Sequence, residues 1–548
     1  MKRIILLSLI CLTLACKKEP SAVIEKVVWQ PYDETTELTE QKEHELARMR
    51  FKLLNSKVLD KNELWQPFEK ELSGFETRYE ELKPYILEQN IPSIQQSVSE
   101  GVFSYEELTL FYLYRIRKFE SDNEKSLNAL ISINPDVLKQ ARSYERQKAE
   151  DVKYSLYGIP ILLKDNIGTS GMATTAGAYA LKDNYAEDAF ITARLKEEGA
   201  IILGKLNLSE WAYYFCNGCP LGYSAMGGQT LNPYGRKQFE TGGSSSGSGV
   251  AVAANYAVAA IGTETSGSIL SPSSQNSVVG LKPTIGLLSR TGIVPISGTL
   301  DTPGPMTKSV IDNAILLQAM TGKDPSDPAS VANDMQYTEG FANASLEGKR
   351  FGVLTPLLKD TLYLSAIEKI KAKGAEVIEF EPEEVDLDGF LTLLNIDMKH
   401  DLPAYMAAHA KTSSKYNSVD ELVSFNLKDS VLRMPYGQGV FDRITMDSTT
   451  LEQLEIIKER LMKNGRHFFD TMMNAHHLDA VLSINNYHAS FAAVAQYPCL
   501  TVPMGYKSSG EPANLTFIGK PFSENSLLSI GFAFEKSTRA RKIPPSYN

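Results

Sequence analysis

The chain has 548 residues, a formal net charge of −10, 43% hydrophobic residues and 22% charged residues. This is ordinary globular composition, with length enough for a large core. No long basic run appears, which excludes the electrostatic footprint of a nucleic-acid binder, and the thin acidic balance identifies no substrate.

Met1-Lys2-Arg3 opens on basic charge, Ile4 to Ala15 is almost wholly apolar, and Cys16-Lys17-Lys18-Glu19 follows. That apolar run is shorter than the roughly 20 residues a membrane-spanning helix needs, so residues 1–15 read as a secretory signal peptide. The Leu14-Ala15-Cys16 junction resembles a bacterial lipobox, with Thr13 where such boxes usually carry Leu. Lipidation of Cys16 would anchor the protein to a membrane on the periplasmic or outer side; secretion without a lipid is the alternative. Residues 16–90 read as a tether, to about residue 33, followed by an N-terminal helical extension. The Glu, Lys and Leu spacing of 36–90 predicts two or three helices.

From residue 91 to 548 the pattern is that of one domain. Ser104-Tyr105-Glu106-Glu107 is a capping box that opens a helix. Gly158 to Leu163, Ala200 to Leu203, Phe351 to Leu354, Val377 to Phe380 and Ala480 to Leu482 are short apolar runs. They alternate with helical segments such as Asp188 to Glu198. Continuous apolar strands between helices predict an α/β fold whose sheet is covered on both faces. Residues 384–475 are polar and helical, and read as an excursion from that sheet. Cys216-Asn217-Gly218-Cys219 is a CxxC without a second CxxC or paired histidine nearby, which leaves a disulfide after export, or plain packing, ahead of a zinc site.

The segment from Thr241 to Ser274 carries the chemistry. Gly242-Gly243-Ser244-Ser245-Ser246-Gly247-Ser248-Gly249 is followed by a small-residue helix, Val250 to Asn255, and a strand, Ala257 to Gly262. A second Gly/Ser turn, Thr263-Glu264-Thr265-Ser266-Gly267-Ser268-Ile269, follows the strand. Apolar elements bracket both turns, which excludes a flexible linker. The P-loop pattern GxxxxGK[ST] is absent. Gly243-Ser244-Ser245-Ser246-Gly247 fits the GxSxG of a nucleophile elbow, but that elbow follows a strand, and Arg236 to Glu240 is polar.

Gly242-Gly243-Ser244-Ser245, Gly262 to Ile269 and Gly280-Leu281-Lys282-Pro283-Thr284 together resemble the amidase signature family. So do Gly158-Ile159-Pro160 with Lys164-Asp165, Gly227 to Tyr234, Asp301 to Met306, and Tyr497 to Pro503. The resemblance runs from about Ile91 to the end. Glu264 and the Gly-Gly-Gln-Thr stretch resemble the bacterial peptide amidase branch. The resemblance implies the amidase signature fold, a large mixed β-sheet sandwiched between helices (α/β/α). It also implies a hydrolase of linear carboxamide C–N bonds, with C-terminal peptide amides as candidate substrates.

By position in the motifs, the resemblance makes Ser268 the nucleophile, Ser244 the relay and Lys164 the base. It implies a cis peptide at Gly243–Ser244 and an oxyanion hole from the backbone N–H groups of Thr265, Ser266, Gly267 and Ser268. Chemically, a serine hydroxyl is a weak nucleophile until a neighbour takes its proton. A lysine can do so only when neutral, a form that burial favours. Gly243 and Leu270 are expected at the substrate. Leu270 stands where many members carry Arg, which points to neutral or apolar amides. No metal or organic cofactor is implied, and the expected partner is a small-molecule or peptide amide. His488 is read as a packing or surface residue. A lipid-amide or ester hydrolase, a glutamyl-tRNA amidotransferase subunit and a non-catalytic binding lipoprotein remain as alternatives.

Overall fold

The computed structural model describes residues 26–411 and 416–548. The expected signal peptide and Cys16 lie outside the described residues.

The strands are β1 (Leu130–Ile133), β2 (Pro160–Lys164), β3 (Ile201–Leu206), β4 (Tyr223–Ser224), β5 (Gly228–Gln229), β6 (Ala259–Glu264) and β7 (Val279–Lys282). They continue with β8 (Thr302–Thr307), β9 (Arg350–Leu354), β10 (Glu376–Phe380), β11 (Ala480–Ile484), β12 (Cys499–Tyr506) and β13 (Pro512–Ile518). Eleven of them form one mixed sheet in the order β1-β3-β2-β6-β8-β7-β12-β13-β11-β9-β10, and β4 with β5 forms a small ribbon. The triplet β3-β2-β6 is parallel, as is β11-β9-β10, and antiparallel pairs join the two. In β2, β3, β6, β11 and β13 every residue is buried. Side chains on a strand point alternately to the two faces, so both faces are covered, as the apolar runs predict. This is the α/β architecture, a large mixed sheet between helices, that the family resemblance implies.

β8 is the strand hardest to see in sequence, because Thr-Pro-Gly-Pro-Met-Thr reads as a turn. It runs between β6 and β7, with Pro303 opposite Thr263 and Pro305 opposite Ile261. The prolines sit inside an eleven-stranded sheet, where their missing donors would argue against a strand.

The tether is shorter than expected. Trp29 is 6% exposed in the main core; its backbone N–H donates to Asn62 Oδ1 at 2.8 Å and its indole N–H to Asn123 Oδ1 at 2.6 Å. Residues 36–90 are also less helical than their composition suggests. Helices Thr35–Gln41, Glu69–Leu72 and Glu76–Ile86 are separated by irregular chain and single 3-10 turns. Phe51, Leu54, Trp65, Leu72 and Tyr79 belong to the same apolar cluster as Leu203 and Ile261, so burial against the domain, not helix propensity, orders this segment.

The excursion lies between β10 and β11, with helices Phe390–Ala408, Val419–Leu427, Ser430–Arg433, Gly439–Met446 and Leu451–Ala475. It has its own apolar cluster, in which Phe441 meets Trp211 and Phe215. Cys216 and Cys219 are disulfide-bonded within this contact, one of the two outcomes the sequence left open. Cys499 is free and buried. Among the described residues no helix is long and apolar enough to cross a membrane.

Candidate active site

β2 and β6 are parallel neighbours, with Leu163 opposite Ile261, so both deliver their carboxyl ends to one place. That is where ligands sit in open α/β sheets. Lys164 ends β2 and is 0% exposed. Its Nζ lies 2.7 Å from Ser244 Oγ, 2.8 Å from Thr263 Oγ1 and 3.2 Å from Thr263 O. Burial lowers the Lys164 ammonium to about 7; Asp301 and Glu264 oppose the shift without cancelling it.

Ser244 follows Gly243 across a cis peptide bond, at the place the family resemblance implies. Gly242 before it has φ +65°, a left-handed conformation that glycine enters freely. The Ser209 N–H donates to Ser244 O at 3.0 Å and holds the loop from the other side. The helix that follows, Ser246–Ala253, is buried along its whole length. A Cβ on Gly247 would come within 2.4 Å of Asn207 O and 2.6 Å of Ala129 O. The small-residue run is thus a packing requirement: it lets the helix touch neighbouring backbone and carry Ser244 up to Lys164.

The two Gly/Ser turns are bonded to each other. Ser245 N–H donates to Ser268 O at 3.1 Å, and the Ser245 hydroxyl donates to Thr263 O at 3.0 Å. The second turn is closed by Glu264, whose Oε2 accepts from Ile269 N at 2.7 Å and Leu270 N at 2.9 Å. Gly267 takes φ +87° within it. Ser268 is half-buried at the turn's end. The amides of Thr265, Ser266, Gly267 and Ser268 make no hydrogen bond among the described residues, which leaves four donors on one turn for a ligand oxygen. The Thr265 hydroxyl donates to Asp301, and the Ser266 hydroxyl lies 3.1 Å from Ser490 Oγ. Asp301 also accepts from the N–H groups of Ile296 and Ser297, yet burial holds its carboxyl above the usual carboxylate range.

Lys164 and Ser244 therefore meet, and Ser268 lies on the turn hydrogen-bonded to the Ser244 loop. Gly243 is half-buried, and a Cβ there would approach Ser209 Oγ to 2.6 Å. Leu270 is buried. It is 1% exposed, in a cluster with Phe380, Phe468 and Tyr497, so its identity serves packing. His488 has Nδ1 2.7 Å from Ser483 Oγ and stacks on Phe468, and burial lowers it to about 4. Residue patterns alone passed over Thr263, which touches Lys164, and Asn166, whose Nδ2 donates to Thr263 Oγ1 at 3.0 Å. Thr263 stood inside a motif already noticed, one position before Glu264, and Asn166 just past another, two positions after Lys164.

A cavity of about 570 Å³ lies beside this centre. Thr263, Thr265 and Asn166 form its inner wall, and the helix Phe390–Ala408 supplies Asp401 and Tyr405 opposite. Neither Ser244 nor Ser268 lines it, so it adjoins the contact between Lys164 and Ser244 without enclosing it. Among the described residues no group of acidic, histidine and cysteine side chains is arranged to hold a metal.

The profile of the amidase family matches residues 107–528. An Arabidopsis thaliana protein described as a probable amidase is 36% identical over 481 residues, covering 84% of this chain and 92% of its own. The crystal structure of an amidase family protein from Bacillus anthracis superposes with a TM-score of 0.84 at 36% identity, over 90% of this chain and 99% of that one. The native peptide amidase from Stenotrophomonas maltophilia gives 0.79 at 39% identity, over 84% and 99%. The chain belongs to the amidase family and is a hydrolase of amide C–N bonds.

Proposed function

We propose that the protein hydrolyses C-terminal peptide amides to the free acid and ammonia, through an acyl-enzyme on Ser268. The observation that carries the chemistry is the buried contact between Lys164 Nζ and Ser244 Oγ at 2.7 Å. A neutral amine has two N–H bonds and one lone pair. Thr263 O and Oγ1 accept the two N–H bonds, and the lone pair accepts the Ser244 proton. Ser244 in turn takes the proton of Ser268 as Ser268 Oγ attacks the carbonyl carbon. The amides of Thr265, Ser266, Gly267 and Ser268 receive the oxyanion. When the C–N bond breaks, Ser244 gives its proton to the leaving nitrogen and is reprotonated by Lys164. Water then attacks the ester by the same relay and releases the carboxylic acid and Ser268. The peptide amide substrate is supported by similarity to the S. maltophilia peptide amidase.

The export reading stands as part of the same proposal: a leader removed before Cys16 and a lipid on that cysteine. A Cys216–Cys219 disulfide suits an oxidising compartment. Mass spectrometry of the mature N-terminus tests it, and an unmodified cysteine overturns it.

Ammonia release from a panel of peptide amides, beside Ser268→Ala and Lys164→Ala, tests the activity. Loss in both variants supports the triad. Release from no peptide amide by the wild type overturns the substrate assignment.

A further inference from the structure

The cavity beside the catalytic turn is large enough for an amino-acid side chain and is floored by residues of the reacting centre. Thr263 contacts Lys164, and Thr265 belongs to the nucleophile turn. Its charges do not balance. Arg290 is spent internally: Nε and Nη2 donate to Asp327, and Nη1 donates to Gly298 O. Behind the wall, Asp397 is paired with Lys458 at 3.2 Å. Two lining carboxyls, Asp301 and Asp401, have no salt-bridge partner among the described residues; Arg290 is near enough to act on both, but its donors are taken. Asp301 is enclosed by its three donors. Asp401 accepts only the Gly298 N–H, through Oδ2 at 2.6 Å, so Oδ1 is left for a ligand.

A second observation is independent of these carboxyls. Asn166 lines the same cavity and is 2% exposed, and its Oδ1 is a buried acceptor with no partner among the described residues. A buried carbonyl left unpaired costs free energy, and a donor supplied by a ligand removes that cost. The orphan acceptor asks for a hydrogen-bond donor and the unpaired carboxylate for positive charge, and an ammonium or guanidinium supplies both.

We propose that this cavity binds a cationic group of the substrate, an ammonium or guanidinium held by Asp401, so that the preferred substrates are amides bearing a positive charge near the scissile bond. The inference rests on the amidase reading of the same centre. The cation can come from a basic side chain or from a free α-amine, and both present the same donor chemistry.

The test compares matched amides. Nα-acetyl-lysinamide against Nα-acetyl-norleucinamide probes a side-chain cation, and leucinamide against Nα-acetyl-leucinamide probes an α-ammonium. We expect the charged member of at least one pair to have a kcat/KM about tenfold higher, mostly through KM. Asp401→Asn should bring that ratio close to one, since asparagine still accepts the Gly298 N–H but carries no charge. Equal kcat/KM within both pairs, or a ratio unchanged in Asp401→Asn, overturns the proposal. Binding of the same amides to Ser268→Ala by calorimetry separates the two readings. A charge preference in binding without turnover by the wild type counts against the hydrolase assignment and for the cation site. Equal binding within both pairs counts against the cation site whatever the turnover.

Discussion

Lys164 and Ser244 are 80 residues apart in the chain and 2.7 Å apart in the fold, with both side chains excluded from solvent. A lysine so placed is held near neutrality by desolvation, and its nearest hydroxyl belongs to the loop bonded to Ser268.

The first prediction concerns pH. In the proposed relay Lys164 works only as the neutral amine, so kcat/KM should fall as pH drops through about 7. His488, lowered to about 4, should add no step near neutral pH. A pH–rate profile checks this, and His488→Gln should leave the limb in place.

Replacing Lys164 with Met should abolish turnover and raise stability. The ordinary lysine value is 10.5 and the folded value about 7, so the unfolded chain holds the proton more tightly between those limits. Burying the charge therefore destabilises the wild type fully below pH 7, and the penalty fades as pH rises toward 10.5. The gain from Met, on the order of 1–3 kcal/mol after Ser244 and Thr263 lose a partner, should be largest below pH 7. Denaturant unfolding at pH 6 and pH 9 measures it.

Ser268→Ala should lower kcat at least about 10³-fold while moving stability by less than about 1 kcal/mol, because the half-buried side chain packs into no core cluster. Activity assays and thermal melts on one preparation separate the two effects.

Glu264→Ala should cost both stability and activity. It strips the acceptor from Ile269 N and Leu270 N, and each buried amide left unpaired costs about 1–3 kcal/mol. Glu264→Gln retains an acceptor and should recover most of the stability, as read by urea midpoints.

Leu270→Ala should behave as a core truncation, destabilising by about 2–5 kcal/mol with KM little changed in the folded fraction. A large KM change with normal stability would return Leu270 to the substrate.

Order along the chain settled much about this protein before any fold was known. The two Gly/Ser turns, 24 positions apart at Ser244 and Ser268, resemble the amidase signature, and it is that resemblance that implies serine chemistry. Apolar runs such as Pro160 to Leu163 and Ile201 to Leu203 marked sheet strands because both of their faces are buried. Other features depend on contacts between distant segments, and local pattern does not encode those. β8 is a strand despite its prolines, since β6 and β7 flank it. Trp29 is core because Asn62 and Asn123 meet it, and Leu270 turns inward because Phe380 and Tyr497 surround it. The cavity charge is a sum over Arg290, Asp301, Asp327 and Asp401, gathered from three separate stretches, so only folding could reveal which carboxyls have no salt bridge.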